Sequence, residues 1–193
     1  MEEIIVATNN EGKLREIKEI LKGYNLKSLK EIGCSIDVVE DGDTFEENAK
    51  KKAKEFSEFL NKPCLADDSG LCIDYLDGWP GVNTAREVGR SKDEFNIILE
   101  KLKDVPDEKR TAKAICCIAY YNKEEFIIGR GELVGKIAFE RRGENGFGFD
   151  VIFELENGKT LAELTDEEKN RVSIRYLALM DLEKKINQLD NFM

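Results

Sequence analysis

The chain has 193 residues, 41% of them apolar and 36% charged, an ordinary composition for about one soluble domain with a real core. Forty acidic against thirty basic residues leave a formal charge of −10, which argues against a nucleic-acid or anionic-membrane surface but not against a small phosphorylated ligand. There is no histidine, so imidazole base catalysis and His-ligated zinc are excluded. The five cysteines form no CxxC pair and read as buried free thiols of a reducing cytosol. With no basic-then-apolar leader and no apolar run near about 18 residues, the expected location is the cytoplasm.

In chain order, Glu3 to Ala7 reads as a short buried strand, after which Leu14, Ile17, Ile20 and Leu21 repeat at helical spacing. Thr8-Asn9-Asn10-Glu11-Gly12-Lys13 therefore joins a strand to a helix N-terminus, whose unpaired N–H groups suit a phosphate. Lys13 in the first turn opposes the helix dipole and asks for an anion, although a plain helix cap would use the same asparagines. The GxxxxGK[ST] pattern of a Walker loop is absent. Ile36, Val38 and Val39 predict a strand that ends at Glu40. Thr44 with Glu47 then forms a capping box for a helix whose apolar face is Phe45, Ala49, Ala53, Phe56 and Leu60. Asn48 falls near that face, where an amide needs a buried partner.

A strand over 63–67 runs into Asp67-Asp68-Ser69-Gly70, read as a turn, and resumes over 71–76. Adjacent carboxylates at the edge of a core gain nothing in stability, whereas Mg²⁺ takes one or two carboxylates together with water and phosphate. With Glu40 at another strand end, the pattern favours a two-carboxylate Mg²⁺ site; an Asp-Ser-Gly turn without special chemistry is the alternative. Ser91 with Glu94 caps a helix carrying Phe95, Ile98, Leu99 and Leu102, and strands over 112–121 and 124–135 form a hairpin about Asn122-Lys123. Gly143 to Asp150 alternates glycine with aromatic residues, which lets backbone approach a flat ligand, or forms a bulge or hairpin corner; a strand follows over 149–153. Thr165 with Glu168 caps a last helix running through Val172, Tyr176, Leu179 and Leu182 and carrying both Lys169 and Arg175. Helices interleaved with strands, plus a hairpin, indicate an α/β protein with a mixed sheet. No linker or repeat interrupts it, so residues 1–193 are expected to form one domain.

Taken in order, these blocks resemble the inosine triphosphate pyrophosphatase (Ham1-like) family. Its T/S-x-N-x-x-K reads Thr8 to Lys13, its E-x-G-x-T-F-x-x-N-A reads Glu40 to Ala49, and its D-D-S-G reads Asp67 to Gly70. Pro80-Gly81 with Ala85-Arg86, Gly146 to Asp150, Ala162 to Lys169 and Ser173-Ile174-Arg175 continue the match along the whole chain. The resemblance implies an elongated mixed sheet flanked by helices, with two lobes around a central cleft, and a homodimer. It also implies Mg²⁺-dependent hydrolysis of ITP, dITP and XTP to the monophosphate and pyrophosphate. Carried over by position, Asp68 is the catalytic carboxylate and holds the metal with Glu40. Thr8, Asn9, Asn10, Lys13 and Lys169 would grip the triphosphate, while Ser69, Phe147, Gly148, Phe149, Asp150 and Arg175 would line the nucleoside pocket.

Two positions depart from the family pattern. Ile174 stands where the family's S-H-R has histidine, so weaker selection against standard purines, or a compensating contact, is expected. Val151 replaces a frequent proline, which affects loop stiffness only. The competing readings are a Maf-type pyrophosphatase of other nucleotides and a nucleotide-binding regulator without turnover.

Overall fold

The computed structural model describes residues 3–89, 91 and 93–190; the side chains of 189 and 190 lie outside that description. Six strands form one sheet: β1 (Glu3–Val6), β2 (Asn25–Ser28), β3 (Cys64–Ile73), β4 (Thr111–Tyr121), β5 (Phe126–Ile137) and β6 (Phe153–Glu154), in the order β2-β1-β3-β4-β5-β6. The sheet is mixed. β1 pairs in parallel with β2 and β3, and β5 pairs antiparallel with β6. The helices are α1 (Glu11–Ile20), α2 (Phe45–Leu60), α3 (Asn96–Lys101), α4 (Asp166–Val172) and α5 (Ile174–Asp190). None of the described helices is long and apolar enough to cross a membrane.

The chain divides into two compact units, each assembled from separate stretches, so no linker marks them in the sequence. The first comprises the described residues within Met1–Asp68, Cys116–Gly131 and Ile174–Met193. Here Asn10 caps α1, its Oδ1 accepting from Lys13 N at 3.1 Å, and Thr44 and Glu47 form the expected capping box on α2. α2 buries Phe45, Asn48, Ala49, Ala53 and Phe56, and ends where Asn61 turns left-handed at φ 50°. α5 lies directly on β5 because Gly129 and Gly131 have no side chains. A Cβ there would stand 2.1 Å from Ala178 O and 2.0 Å from Ile174 O. The β4–β5 hairpin closes over a longer loop than the sequence suggested, with Asn122 Oδ1 accepting from the N–H groups of Glu124 and Glu125.

The second unit comprises the described residues within Ser69–Ile115 and Glu132–Ser173. Its buried fastener is Arg110, 1% exposed, which meets carbonyls rather than a carboxylate. Nε donates to Ile137 O and Nη2 to Ala138 O, each at 2.8 Å, and Nη1 donates to Leu102 O at the end of α3. The Phe139 ring covers the guanidinium at 4.3 Å. Thr84 Oγ1 accepts from Leu71 N at 3.0 Å and donates to Gly81 O, tying the π-helical turn Thr84–Val88 to β3.

Several local expectations are corrected. Asp67 to Gly70 is not a turn; β3 runs through it unbroken, because burial on both sides and ladder pairing outweigh the turn preference of Asp-Ser-Gly. No strand forms over 36–39, where Val39 is exposed and Glu40 sits in irregular chain. Strand β2 had no clear alternation to announce it. The Ser91–Glu94 pair closes a turn, and α3 starts only at Asn96. The last helix is broken at Ser173, whose extended backbone (φ −63°, ψ 148°) separates α4 from α5. Lys169 and Arg175 therefore lie on different helices and in different units. The stretch 149–153 is mostly the 3₁₀ turn Gly148–Val151 ahead of β6.

Candidate active site

Adjacent residues on a strand face opposite ways, and this separates the two aspartates of β3. Asp67 meets α1 and α5. Its Oδ2 accepts from Arg175 Nε at 3.2 Å and Nη2 at 3.0 Å, and lies 3.0 Å from Lys13 Nζ. Arg175 Nη1 in turn donates to Glu16. Asp68 meets α2, where Asn48 Nδ2 donates to its Oδ2 at 2.9 Å while Asn48 Oδ1 accepts from Gly42 N at 2.8 Å. Lys52, one turn beyond Asn48, donates to the Asp67 carbonyl at 2.5 Å and pairs with Glu40.

These contacts give the two carboxylates opposite acidities. Burial pushes Asp67 up, but Lys13, Arg175 and Lys52 together outweigh it and hold the group well below the usual carboxylate range. Burial also pushes Asp68 up, and there it prevails over Lys52, Lys13 and Asn48, leaving the carboxyl above its ordinary value. Asp68 thus has the environment of a group that would gain from a cation opposite it. The donors nearby are oxygens, with no imidazole in the chain, which suits a hard ion such as Mg²⁺. No cluster of three or more His, Cys, Asp or Glu able to hold a metal occurs among the described residues. Asp68 and Glu40, close enough that the Glu40 charge helps raise Asp68, are two carboxylates, which fits an ion that takes one or two protein carboxylates and finds its other ligands in phosphate and water.

The remaining phosphate-loop residues follow from the cap. Thr8 Oγ1 accepts from Asn10 N at 3.2 Å, Asn10 caps the helix, and Asn9 is exposed. Ser69, half-buried, follows Asp68 and opens the second unit.

Within that second unit a separate group forms. Lys169 Nζ lies 2.8 Å from Asp150 Oδ2, both side chains under a tenth exposed, and 4.5 Å from the Phe147 ring. Phe147 N also donates to Asp150 Oδ2 at 2.7 Å. Gly146 must be glycine, because at φ +66° a Cβ would stand 2.2 Å from that same oxygen. Phe149 packs against Phe95 and Phe153, with ring centroids 6.1 Å away in each case. The glycine–aromatic block is thus a packed aromatic wall with a buried ion pair at one end.

A family model described as the Ham1 family matches residues 4–185. The chain belongs to the Ham1 family. This Ham1-family chain is 49% identical over 191 residues to the "dITP/XTP pyrophosphatase" of Bacillus subtilis (strain 168), covering 95% of the chain and 96% of that protein. It is 45% identical to a protein of the same name from Clostridium perfringens, over 96% of the chain and 98% of the relative. Among solved structures, the Staphylococcus aureus Ham1 protein superposes with a TM-score of 0.84 at 36% identity, covering 97% of this chain and 99% of that one. The α/β mixed-sheet fold is therefore that of Ham1 proteins.

In this Ham1-family chain the first unit brings Lys13, Asp68 and Arg175 into one charged group with Glu40, and the second brings Phe147, Asp150 and Lys169 together. Sequence reasoning missed Glu16 and Lys52. Each had a spacing signal: Glu16 lies three residues after Lys13 on α1, and Lys52 four after Asn48 on α2. Arg175 was expected at the base; its guanidinium is held by Asp67 and Glu16.

Proposed function

We infer that this chain hydrolyses non-standard purine nucleoside triphosphates (dITP, ITP, XTP) to the monophosphate and pyrophosphate. The observation that carries this reading is the 45–49% identity, over nearly the full chain, to dITP/XTP pyrophosphatases, in a chain that carries Asp68, Glu40, Lys13 and Lys169. Water attacking the α-phosphorus builds negative charge on its oxygens and on the departing pyrophosphate. Lys13, released towards the phosphate loop, neutralises part of that charge, and the N-terminal N–H groups of α1 with Thr8, Asn9 and Asn10 orient the chain of phosphates. Asp68, kept in place by Asn48, orients and deprotonates the water.

Mg²⁺ belongs to the same proposal. Asp68 and Glu40 would hold it, and it would supply Lewis-acid stabilisation of phosphate charge. Ser69 and the Phe147–Asp150 wall are assigned to the nucleoside, with Lys169 as a further phosphate contact and Arg175 as the resemblance's base contact. Action on the cytoplasmic nucleotide pool, as a homodimer, completes the reading.

A panel of ITP, dITP, XTP, ATP, GTP and dUTP with Mg²⁺, run on wild type and Asp68→Asn, tests it. Wild type releases pyrophosphate from the 6-oxo purine substrates, while Asp68→Asn binds them and loses at least about a thousandfold in kcat. Undiminished turnover in Asp68→Asn removes the assignment of Asp68. Absence of pyrophosphate release from wild type removes the reaction itself. The same panel on Arg175→Lys tests the base contact through selectivity.

A further inference from the structure

Three cations and four carboxylates make up the charged group of the first unit, and each cation already has a carboxylate partner. Lys13 pairs with Asp67, Lys52 with Glu40, and Arg175 with Asp67 and Glu16. An arriving or departing phosphate therefore competes with a carboxylate for every positive charge. Lys13 is the cation best able to change partners. Its side chain is 16% exposed against 4% for Arg175, and its compact ammonium on a flexible stem has one ion-pair partner among the described residues, whereas Lys52, 13% exposed, is also tied to the Asp67 carbonyl. Asp67 is suited to let it go, because two N–H groups of Arg175 remain on Oδ2 when Lys13 leaves. Its other oxygen, Oδ1, is buried with no hydrogen-bond partner among the described residues, so the whole grip on Lys13 is exerted from Oδ2.

We propose that Asp67 is a positioning residue whose carboxylate competes with phosphate for Lys13, and that it thereby sets how readily pyrophosphate leaves. The inference rests on the pyrophosphatase reading above and adds a role that neither metal binding nor proton transfer covers. A pyrophosphate ion is the more highly charged product. Left unopposed, Lys13 would hold it and slow turnover; with Asp67 beside it, Lys13 always has an anion to return to. Asp67 thus trades ground-state affinity for release.

The test is inhibition of Mg²⁺-dependent ITP hydrolysis by added inorganic pyrophosphate. In Asp67→Asn the inhibition constant is expected to fall about tenfold, with KM and kcat both lowered, since an unpaired lysine binds anions more tightly. A merely structural role would leave the constant unchanged or raise it, and either result in folded protein overturns the proposal. In a Lys13→Gln background, Asp67→Asn should no longer tighten inhibition; tightening that persists also overturns it. Should Asp67→Asn fail to fold, Glu16→Gln reads the same balance. With Glu16 neutral, Arg175 loses that counter-charge and leans more on Asp67, the hold on Lys13 weakens, and the constant is expected to fall about threefold. An unchanged constant there overturns the proposal. A wild type that releases no pyrophosphate from ITP defeats the functional reading and this inference with it. An active wild type whose variants keep the same constant defeats this inference alone.

Discussion

The two buried ionic groups of this protein are built on different plans. Around Asp67 the charges are shared: one carboxylate oxygen serves Lys13 and Arg175, and Arg175 serves two carboxylates. At Asp150 there is a pair, Lys169 with Asp150 under the Phe147 ring, both side chains almost fully buried. A shared network loses one member and keeps a counter-charge, whereas a pair that loses one member strips a buried charge of its counter-ion. The first arrangement can exchange partners with an incoming anion; the second is suited to hold a wall in place.

Stability measurements on single-lysine variants break or uphold that contrast most directly. Lys169→Met is expected to cost about 3–5 kcal/mol in urea unfolding, because it removes the cation 2.8 Å from the buried Asp150 carboxylate. Lys13→Met should cost less, about 2 kcal/mol, since Asp67 loses one charged partner but retains both Arg175 bonds. Equal losses at the two sites would erase the distinction.

The same contrast has a pH signature. Asp67 is held below its unfolded value of 3.8, so its contribution is fully present above that pH and is lost as pH falls towards the depressed folded value. In metal-free buffer, wild type should therefore lose stability below about pH 4 with a slope from this group of at most about 1.4 kcal/mol per pH unit. Asp67→Asn should lack that component, which unfolding curves between pH 5 and 3 would reveal. An unaltered slope would mean that Lys13 and Arg175 do not hold the carboxylate ionised.

How much of this was legible in the sequence follows from the range of the forces involved. Caps are local, and Thr44–Glu47 and Thr165–Glu168 appear where their spacing placed them, whereas Ser91–Glu94 closes only a turn ahead of α3. The Asp67–Asp68 pair stood out by its chemistry, but its local turn signal misled, because strand pairing on a buried sheet is decided by distant chain. Glu40 was found through its neighbours' apolar pattern, although those neighbours form no strand. Glu16 and Lys52 looked like ordinary charges on amphipathic helices. Only the approach of α1, α2 and α5 to β3 turns them into partners of Arg175, Glu40 and the Asp67 carbonyl.

The smallest expected effect is at Ile174, the first residue of α5, which precedes the shared member Arg175 of the network. Its side chain is buried, and its carbonyl crosses Gly131 so closely that the backbone has one place to lie. A substitution here therefore changes side-chain chemistry without moving the helix. Isoleucine can pack against a purine but cannot hydrogen-bond O6, whereas histidine can donate to an oxo group and not to the amino group of adenine. Ile174→His should raise the ITP-to-ATP ratio of kcat/KM about fivefold, roughly 1 kcal/mol, while lowering stability because a ring nitrogen enters an apolar site. An unchanged ratio would show that position 174 does not reach the base, and that selection between purines rests on the aromatic wall and backbone N–H groups instead.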